Sequence, residues 1–322
     1  MSNEISLNEK IAHEALRHYD FPDVIAISLI NLSENATFKI ELADGRCFAL
    51  RVHRKGYHSA QAIESELSWL MALRADDVAI TPRPISGSDG ALIQSVLDRH
   101  VVIFEWESGV EPLIGDALEK PFEQIGEVAA RLHIHAHGWV KSDSFQRFTW
   151  NFETILSGVK PHWGRWQDGI GVDGPREKLF ARTVDLIGSR LAAYGTVPER
   201  FGLIHGDLRL ANLLIDGPQV KVLDFDDCGF GWQMYDAATP VSFFEDDAKV
   251  PALIDAWKTG YRKVAVLQKA DENEIPTFVM MRRLLLVAWI GSHSETELAR
   301  SLGVGYTAGT EGLCENYLKR CG

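Results

Sequence analysis

The sequence predicts an α+β chain: an antiparallel sheet carrying one long helix as far as Trp106, then a mainly helical remainder. Three observations carry this. First, the β-like runs Val24–Leu32, Ala36–Leu42 and Cys47–His53 follow one another closely, with the hairpin signal Ala43-Asp44-Gly45-Arg46 between the last two. Second, Ser59 to Arg74 sets Ile63, Leu67, Leu70, Met71 and Leu73 at helical spacing. Third, the texture beyond Trp106 changes to long amphipathic segments.

Taken in order, Ser6 to His18 reads as a helix with Ile11, Ala15 and Leu16 on one face and Ser6 as N-cap. The three strands and the helix follow. Thr81-Pro82-Arg83-Pro84 then breaks the chain, and Leu92–Val96 and His100–Phe104 read as a strand pair around Asp98-Arg99. The boundary between strand-rich and helix-rich texture falls near Glu105–Gly109, giving an N-terminal lobe over residues 1–105 and a C-terminal lobe over residues 106–322. In the C-terminal lobe Pro121–Ala136 and Pro175–Tyr194 are amphipathic helices, and Phe145 to Trp166 gathers aromatics among Gly and Pro. Short strands are expected at Asn212–Ile215 and Val220–Leu223. Trp232–Glu245, Leu253–Val266, Glu274–Ser292, Glu295–Leu302 and Glu311–Lys319 read mostly as helix, with no internal repeat.

Composition bounds the function. A chain of 322 residues suits one large domain or two lobes. A net charge of −12 argues against a nucleic-acid binder, whose footprint would be basic, and tolerates a cationic substrate. Met1 to Tyr19 carries acids at helical spacing rather than a basic-then-apolar signal. No apolar run reaches the roughly 18 residues of a membrane span, so no membrane partner is expected. Cys47, Cys228, Cys314 and Cys321 include no CxxC pair and read as reduced thiols in a cytoplasm.

The chemistry concentrates in Leu203-Ile204-His205-Gly206-Asp207-Leu208, with Asn212 five positions after Asp207, and in Val222-Leu223-Asp224-Phe225-Asp226-Asp227. Gly206 lets the backbone turn sharply and present the Asp207 carboxylate. Asn212 offers an amide oxygen, and Asp224 follows the next short strand across a hairpin, so both oxygens could share one Mg²⁺. A base and two metal-binding oxygens suit phosphoryl transfer, which asks the protein for positioning and charge rather than covalent chemistry.

In residue type, order and spacing these segments resemble the core of the aminoglycoside phosphotransferase family, within the protein-kinase-like superfamily. The resemblance implies a two-lobed fold, with a hinge near 105–108 and ATP with Mg²⁺ in the cleft. It implies Asp207 as catalytic base, Asn212 and Asp224 as Mg²⁺ ligands, and His205 as a scaffold residue. Arg51, in Phe48-Ala49-Leu50-Arg51-Val52, stands where the family's phosphate-contacting Lys is usual; a guanidinium fork can also reach phosphate oxygens. Glu66 looks like its helix partner, with Glu64 as the competing choice. Leu32-Ser33-Glu34-Asn35-Ala36-Thr37-Phe38 occupies the nucleotide-loop position without a glycine, and Asn35 is taken there as a nucleotide contact. Phe104 would lie behind the adenine, which would meet the Glu105 carbonyl and the Glu107 N–H. Asp236 resembles the aspartate that holds the catalytic loop's backbone.

The expected reaction moves the terminal phosphate of ATP to a hydroxyl of a small molecule: an aminoglycoside, an amino alcohol, a homoserine-like acceptor or a sugar. The rivals are a bacterial stress-response Ser/Thr protein kinase and a catalytically dead nucleotide-binding module. No Ala-Pro-Glu segment follows Asp224, which counts against a eukaryotic-type protein kinase. Some residues stay open between two roles. Asp226 is either structural or a weak metal contact, and Asp227 reads as a solvated turn acid. His133, His135 and His137 read as packing and capping, because spacing of two on a helix does not bring three imidazoles to one face. Trp150, Trp163 and Trp166 either wall the acceptor site or cover the helical core. Glu245-Asp246-Asp247 reads as a solvated loop, with recognition of a cationic substrate as the alternative.

Overall fold

The computed structural model describes residues 2–32 and 35–322, and the side chains of residues 2 and 3 are outside that description. The chain divides into two compact units, Met1–Gly109 with Lys141–Arg147, and Val110–Val140 with Phe148–Gly322.

The first unit is a mixed helix and sheet. Helix α1 (Ser2–Ala15) lies four residues earlier than the sequence suggests at its start, and its expected last turn is a separate 3-10 turn, Leu16–His18. β1 (Val24–Leu32), β2 (Ala36–Leu42), β3 (Cys47–Val52), helix α2 (Ala60–Ala75), β4 (Pro84–Ile85), β5 (Gln94–Val96) and β6 (Arg99–Glu105) follow. The sheet runs β1-β2-β3-β6-β4, with β5 on β6, and every pairing is antiparallel. Period-two alternation decides which face of β2 is buried: Ala36, Phe38, Ile40 and Leu42 point inward with Leu50 and Val52 of β3 and Ile11 and Ala15 of α1. Gly45 at φ +87° closes the β2–β3 hairpin, where Asp44 Oδ1 accepts the Arg46 N–H. Leu97 and Asp98 both take positive φ, the geometry a tight hairpin with right-twisted strands demands between β5 and β6. β4 begins at Pro84, inside the stretch expected only to break the chain. Ser59 caps α2 by accepting the Ala62 N–H.

The second unit is mainly helical, as the sequence suggests. Helices α3 (Glu119–Gly138) and α4 (Gly174–Tyr194) flank β7 (Phe148–Trp150), and β8 (Phe201–Ile204), β9 (Leu213–Asp216), β10 (Gln219–Val222) and β11 (Gly229–Trp232) precede α5 (Val250–Val264), α6 (Lys269–Ser292) and α7 (Glu297–Cys321). β9 and β10 form the expected hairpin, while β11 joins β8 antiparallel and β7 parallel in a small sheet that sequence reading missed. Trp232–Glu245, expected as helix, instead completes β11 and makes 3-10 turns at Gln233–Ala237 and Thr239–Val241. Helix α7 joins the two helices expected around Gly303, which bends it at φ 47°, ψ −143°.

Two packing features position the rest. Gly126 of α3 and Gly260 of α5 face each other's helix so closely that a Cβ on either would overlap a backbone carbonyl, of Trp257 or of Glu123. Helix α6 is apolar around most of its circumference and serves as a core helix, with Phe278, Met281, Leu284 and Leu285 fully enclosed. Its length and composition would suit a membrane span, contrary to the sequence reading, but 78% of the relevant window is buried in the protein.

Candidate active site

β8 delivers the chain to the turn His205-Gly206-Asp207, and the turn is held by hydrogen bonds to its backbone. Asp236, fully buried, accepts the His205 N–H at 3.1 Å through Oδ2 and the Gly206 N–H at 2.8 Å through Oδ1. His133 reaches the same Asp236 Oδ2 at 3.0 Å through Nε2 and meets the Tyr261 hydroxyl at 3.2 Å through Nδ1. The Leu208 N–H donates to Thr239 Oγ1. Gly206 sits at φ +80°, and a Cβ there would lie 2.9 Å from the Asp227 carbonyl oxygen, so both conformation and space require glycine.

His205 is fully buried and uses both ring nitrogens within the scaffold. Nδ1 accepts the Asp207 N–H at 3.2 Å, which leaves Nε2 protonated and donating to the Leu223 carbonyl at 3.0 Å. This fixes the tautomer and ties the turn to the end of β10.

The Asp207 carboxylate is nearly buried and surrounded by donors. Asn212 Nδ2 donates to Oδ2 at 2.7 Å and to the Asp207 carbonyl at 2.9 Å, and Arg209 Nε reaches Oδ2 at 3.2 Å. Oδ1 is paired with Arg282 Nη2 of α6. Burial works to raise the Asp207 pKa, but the guanidinium groups of Arg282 and Arg209 outweigh it and hold the carboxyl below the usual carboxylate range. Because Asn212 spends its amide nitrogen on Asp207, its orientation is fixed. The β9–β10 hairpin then places Asp224 nearby in the chain: the Leu223 N–H donates to the Asn212 carbonyl at 2.8 Å, and Asp224 follows at φ 56°, ψ 72°. A left-handed aspartate at a strand end is locally strained and re-aims its side chain relative to β10. Asp226 is buried in the 3-10 turn that follows. Asp227 is half-buried rather than solvated, and its carbonyl accepts Trp150 Nε1 at 2.7 Å.

In the first unit, β3 and α2 bring Arg51 and Glu66 together. Arg51 Nη1 donates to Glu66 Oε1 at 2.7 Å, both side chains are withdrawn from water, and the guanidinium lies over the Phe104 ring at 5.0 Å. Glu64, the competing partner, is exposed. Asn35 Oδ1 accepts the Arg54 N–H at 3.0 Å, so this side chain ties the residue before β2 to the chain just past β3. Ser33 and Glu34, expected in the same nucleotide-loop position, lie outside the described residues. Glu105 ends β6 with its N–H donated to the Arg83 carbonyl, and the Glu107 carboxylate lies 3.8 Å from Arg74.

Arg282 is the site residue that sequence reading did not single out. It is 1% exposed, donates to Ser242 Oγ at 3.0 Å and to the Tyr235 hydroxyl at 3.3 Å besides Asp207, and lies over the Trp163 ring at 4.9 Å. Its neighbour Arg283 turns the other way, to Glu245 Oε2 at 2.8 Å, Thr310 Oγ1 at 2.8 Å and the face of Tyr306. Glu245 is therefore a buried ion-pair partner, not part of a solvated loop, because α6 carries its counter-charge into the core. The available signal was two arginines inside the apolar run Phe278 to Ile290, since buried charges need partners. The three tryptophans are all buried: Trp150 braces Asp227, Trp166 meets Phe180 edge-on, and only Trp163 abuts a residue that touches Asp207. The alternating histidines diverge, His133 inward to Asp236, His135 onto Trp139 and His137 outward.

Comparison with known proteins places this geometry. A family model described as the phosphotransferase enzyme family matches residues 27–268. The solved structure of a microcompartment-associated aminopropanol kinase is 43% identical, covers 96% of this chain and 97% of its own, and superposes with a TM-score of 0.89. An amicoumacin kinase solved with AMP-PNP, Ca²⁺ and Ami is 18% identical, covers 99% of this chain and 96% of its own, and has a TM-score of 0.77. The amicoumacin kinase of Bacillus subtilis (strain 168) is 22% identical over 293 residues, 86% of this chain and 83% of that protein. The α+β class read from the sequence and the protein-kinase-like resemblance are both borne out.

Proposed function

The chain belongs to the phosphotransferase enzyme family and acts as a small-molecule kinase, and from that premise we propose that it transfers the terminal phosphate of ATP to the hydroxyl of a small amino alcohol. The observation that carries this reading is the 43% identity with an aminopropanol kinase over 96% of the chain. The reading takes Asp207, Asn212 and Asp224 as the reacting groups and Arg51, Glu66, Phe104, Glu105 and Glu107 as the nucleotide contacts. A nucleotide-binding lobe at 1–105, a catalytic lobe at 106–322 and a hinge near 105–108 are part of the proposal.

Asp207 is the proposed base. The acceptor hydroxyl donates to Oδ1, its oxygen forms a bond to the terminal phosphorus while the bond from phosphorus to the bridging oxygen of ATP breaks, and the proton passes to Asp207. A carboxylate held well ionised orients the hydroxyl and accepts its proton late, as a loose phosphoryl transition state allows. His205 takes no proton, because both of its ring nitrogens are already engaged.

The donor set fits a hard divalent cation. Asn212 spends its amide nitrogen on Asp207, so its Oδ1 would be the atom to hold a metal, and Asp224 would add a carboxylate; an all-oxygen pair suits Mg²⁺. The metal would neutralise charge on the phosphates. Arg51, fixed by Glu66 and Phe104, would contact phosphate oxygens; the adenine would meet the Glu105 carbonyl and the Glu107 N–H with Phe104 behind it. Asn35, whose Oδ1 accepts the Arg54 N–H, would contribute a nucleotide contact. The proposed compartment is the cytoplasm, with neither nucleic acid nor membrane as a partner.

The test is ADP release with Mg²⁺ and ATP across a panel of aminopropanol, ethanolamine, homoserine, a sugar, an aminoglycoside and a Ser/Thr peptide, using wild type and Asp207→Ala. The reading expects turnover of an amino alcohol that Asp207→Ala loses by at least about a thousandfold. Turnover of the peptide alone, or ATP binding with no transfer to any hydroxyl, would replace it with one of the rivals.

A further inference from the structure

The Asp207 carboxylate has two oxygens with different duties. Oδ2 already receives two donors, Asn212 Nδ2 at 2.7 Å and Arg209 Nε at 3.2 Å. Oδ1 receives Arg282 Nη2. A carboxylate oxygen has two acceptor directions, so Oδ2 is filled and Oδ1 retains one. That direction is the one a hydroxyl would use.

Arg282 is not a mobile surface cation. It rises from core helix α6, is 1% exposed, and is fixed at three edges: Nε on Ser242, Nη1 on the Tyr235 hydroxyl and Nη2 on Asp207. Its faces are taken by Trp163 at 4.9 Å and Tyr235 at 5.9 Å. A planar fork clamped this way sets the position and rotation of whatever its remaining edge holds. The turn that carries Asp207 is attached through its backbone atoms. Its carboxylate is held by Asn212 and Arg209 at Oδ2 and by Arg282 at Oδ1, so among the described residues Arg282 is the group that sets the Oδ1 edge.

From this geometry we propose that Arg282 is a positioning residue for phosphoryl transfer, holding Oδ1 of Asp207 so that its one remaining acceptor direction receives the substrate hydroxyl. The inference rests on the reading of Asp207 as the base. It assigns a catalytic dependence to a helix 75 residues downstream of the motif. Misorientation of a base by even an ångström lowers the rate without weakening ground-state binding, so the signature is a loss in kcat with KM preserved.

The experiment compares wild type, Arg282→Lys, Arg282→Met and Asp207→Asn in the full chain, with kcat, KM for ATP and for the amino alcohol, and thermal unfolding. The expected result is a kcat about 100-fold lower for Arg282→Met and about 10-fold lower for Arg282→Lys, both KM values staying within about twofold. Lysine restores the charge but cannot reach Ser242, Tyr235 and Asp207 together. In the Asp207→Asn background Arg282→Lys should cost nothing further, since the side chain acts through Asp207. A folded Arg282→Met with wild-type kcat overturns the proposal, as does a loss confined to the acceptor KM or full additivity with Asp207→Asn. If Arg282→Met does not fold, Arg282→Lys decides, and wild-type kcat there overturns it. Failure of the underlying reading is distinct: Asp207→Asn would then turn over like wild type.

Discussion

Asp236 holds the Gly206 N–H at 2.8 Å from a fully buried position, thirty residues downstream of the turn it supports. Its other oxygen serves His205 and His133. Two successive backbone N–H groups of the turn that carries Asp207 thus depend on one carboxylate. Asp236→Ala strands two buried N–H groups, each costing about 1–3 kcal/mol. Asp236→Asn turns an NH₂ toward a donor. Both variants should unfold at lower temperature and lose kcat by at least about tenfold, measured by calorimetry and steady-state kinetics.

The α3–α5 contact is made through Gly126 and Gly260. Because the neighbour at each site is backbone, no side chain can move aside to admit a methyl group. Gly260→Ala and Gly126→Ala should each lower stability by about 1–3 kcal/mol through overpacking, and the pair should be less than additive once the helices have moved apart. Urea unfolding of the single and double variants reads this directly.

Arg51 and Glu66 are both withdrawn from water and bonded at 2.7 Å. Removing one partner leaves a buried charge, so Glu66→Gln should destabilise by about 3 kcal/mol or more. Arg51→Lys keeps the charge but gives up the stack on Phe104 and the fork. Its expected effect is a rise in the ATP KM of about three- to tenfold with the acceptor KM unchanged, whereas Arg51→Met raises it further. Equal ATP KM values for all three proteins would remove Arg51 from the phosphate contacts.

Glu272 ties α6 to α5 through Lys258 at 3.1 Å and Arg262 at 3.0 Å. Its hydrogen bonds to Lys258 and Lys269 lower its pKa from 4.5 to about 2. A depressed carboxyl pKa means that the unfolded chain takes the proton first, so this contribution is present above pH 4.5 and disappears as pH falls toward 2. Melting curves of wild type and Glu272→Gln should differ near neutrality and converge across that interval. A constant difference at all pH values would locate the effect elsewhere.

The regions of the fold that were legible in the sequence are those whose signal is local. β1 and β2 appear with the boundaries the alternation suggests, and Asp44-Gly45 closes the next hairpin as expected. β7, β8 and β11 were missed because each has only three or four residues and pairs with strands distant in sequence. The segment Gln233–Val241 has the apolar density of a helix but is tied up in loop-bracing contacts through Asp236 and Thr239. At the site, His205, Asp207 and Asn212 form one contiguous, readable unit. Arg282 was not readable because its meaning lies in a partner 75 residues away. Glu245 was misread for the same reason, its counter-charge arriving from α6 rather than from water.

The short segment Lys141–Arg147 belongs with the first unit although the chain on both sides of it belongs to the second. Its Gln146 N–H donates to Ser65 Oγ, and Arg147 donates to the Ala62 carbonyl, both on α2. A single cut in the gene therefore cannot separate the two compact units. A fragment ending at Gly109 would leave α2, the helix that bears Glu66, without the strap that covers it. Shuffling of first units between relatives, in the laboratory or over evolutionary time, has to carry this seven-residue strap along with residues 1–109 to transplant a complete module.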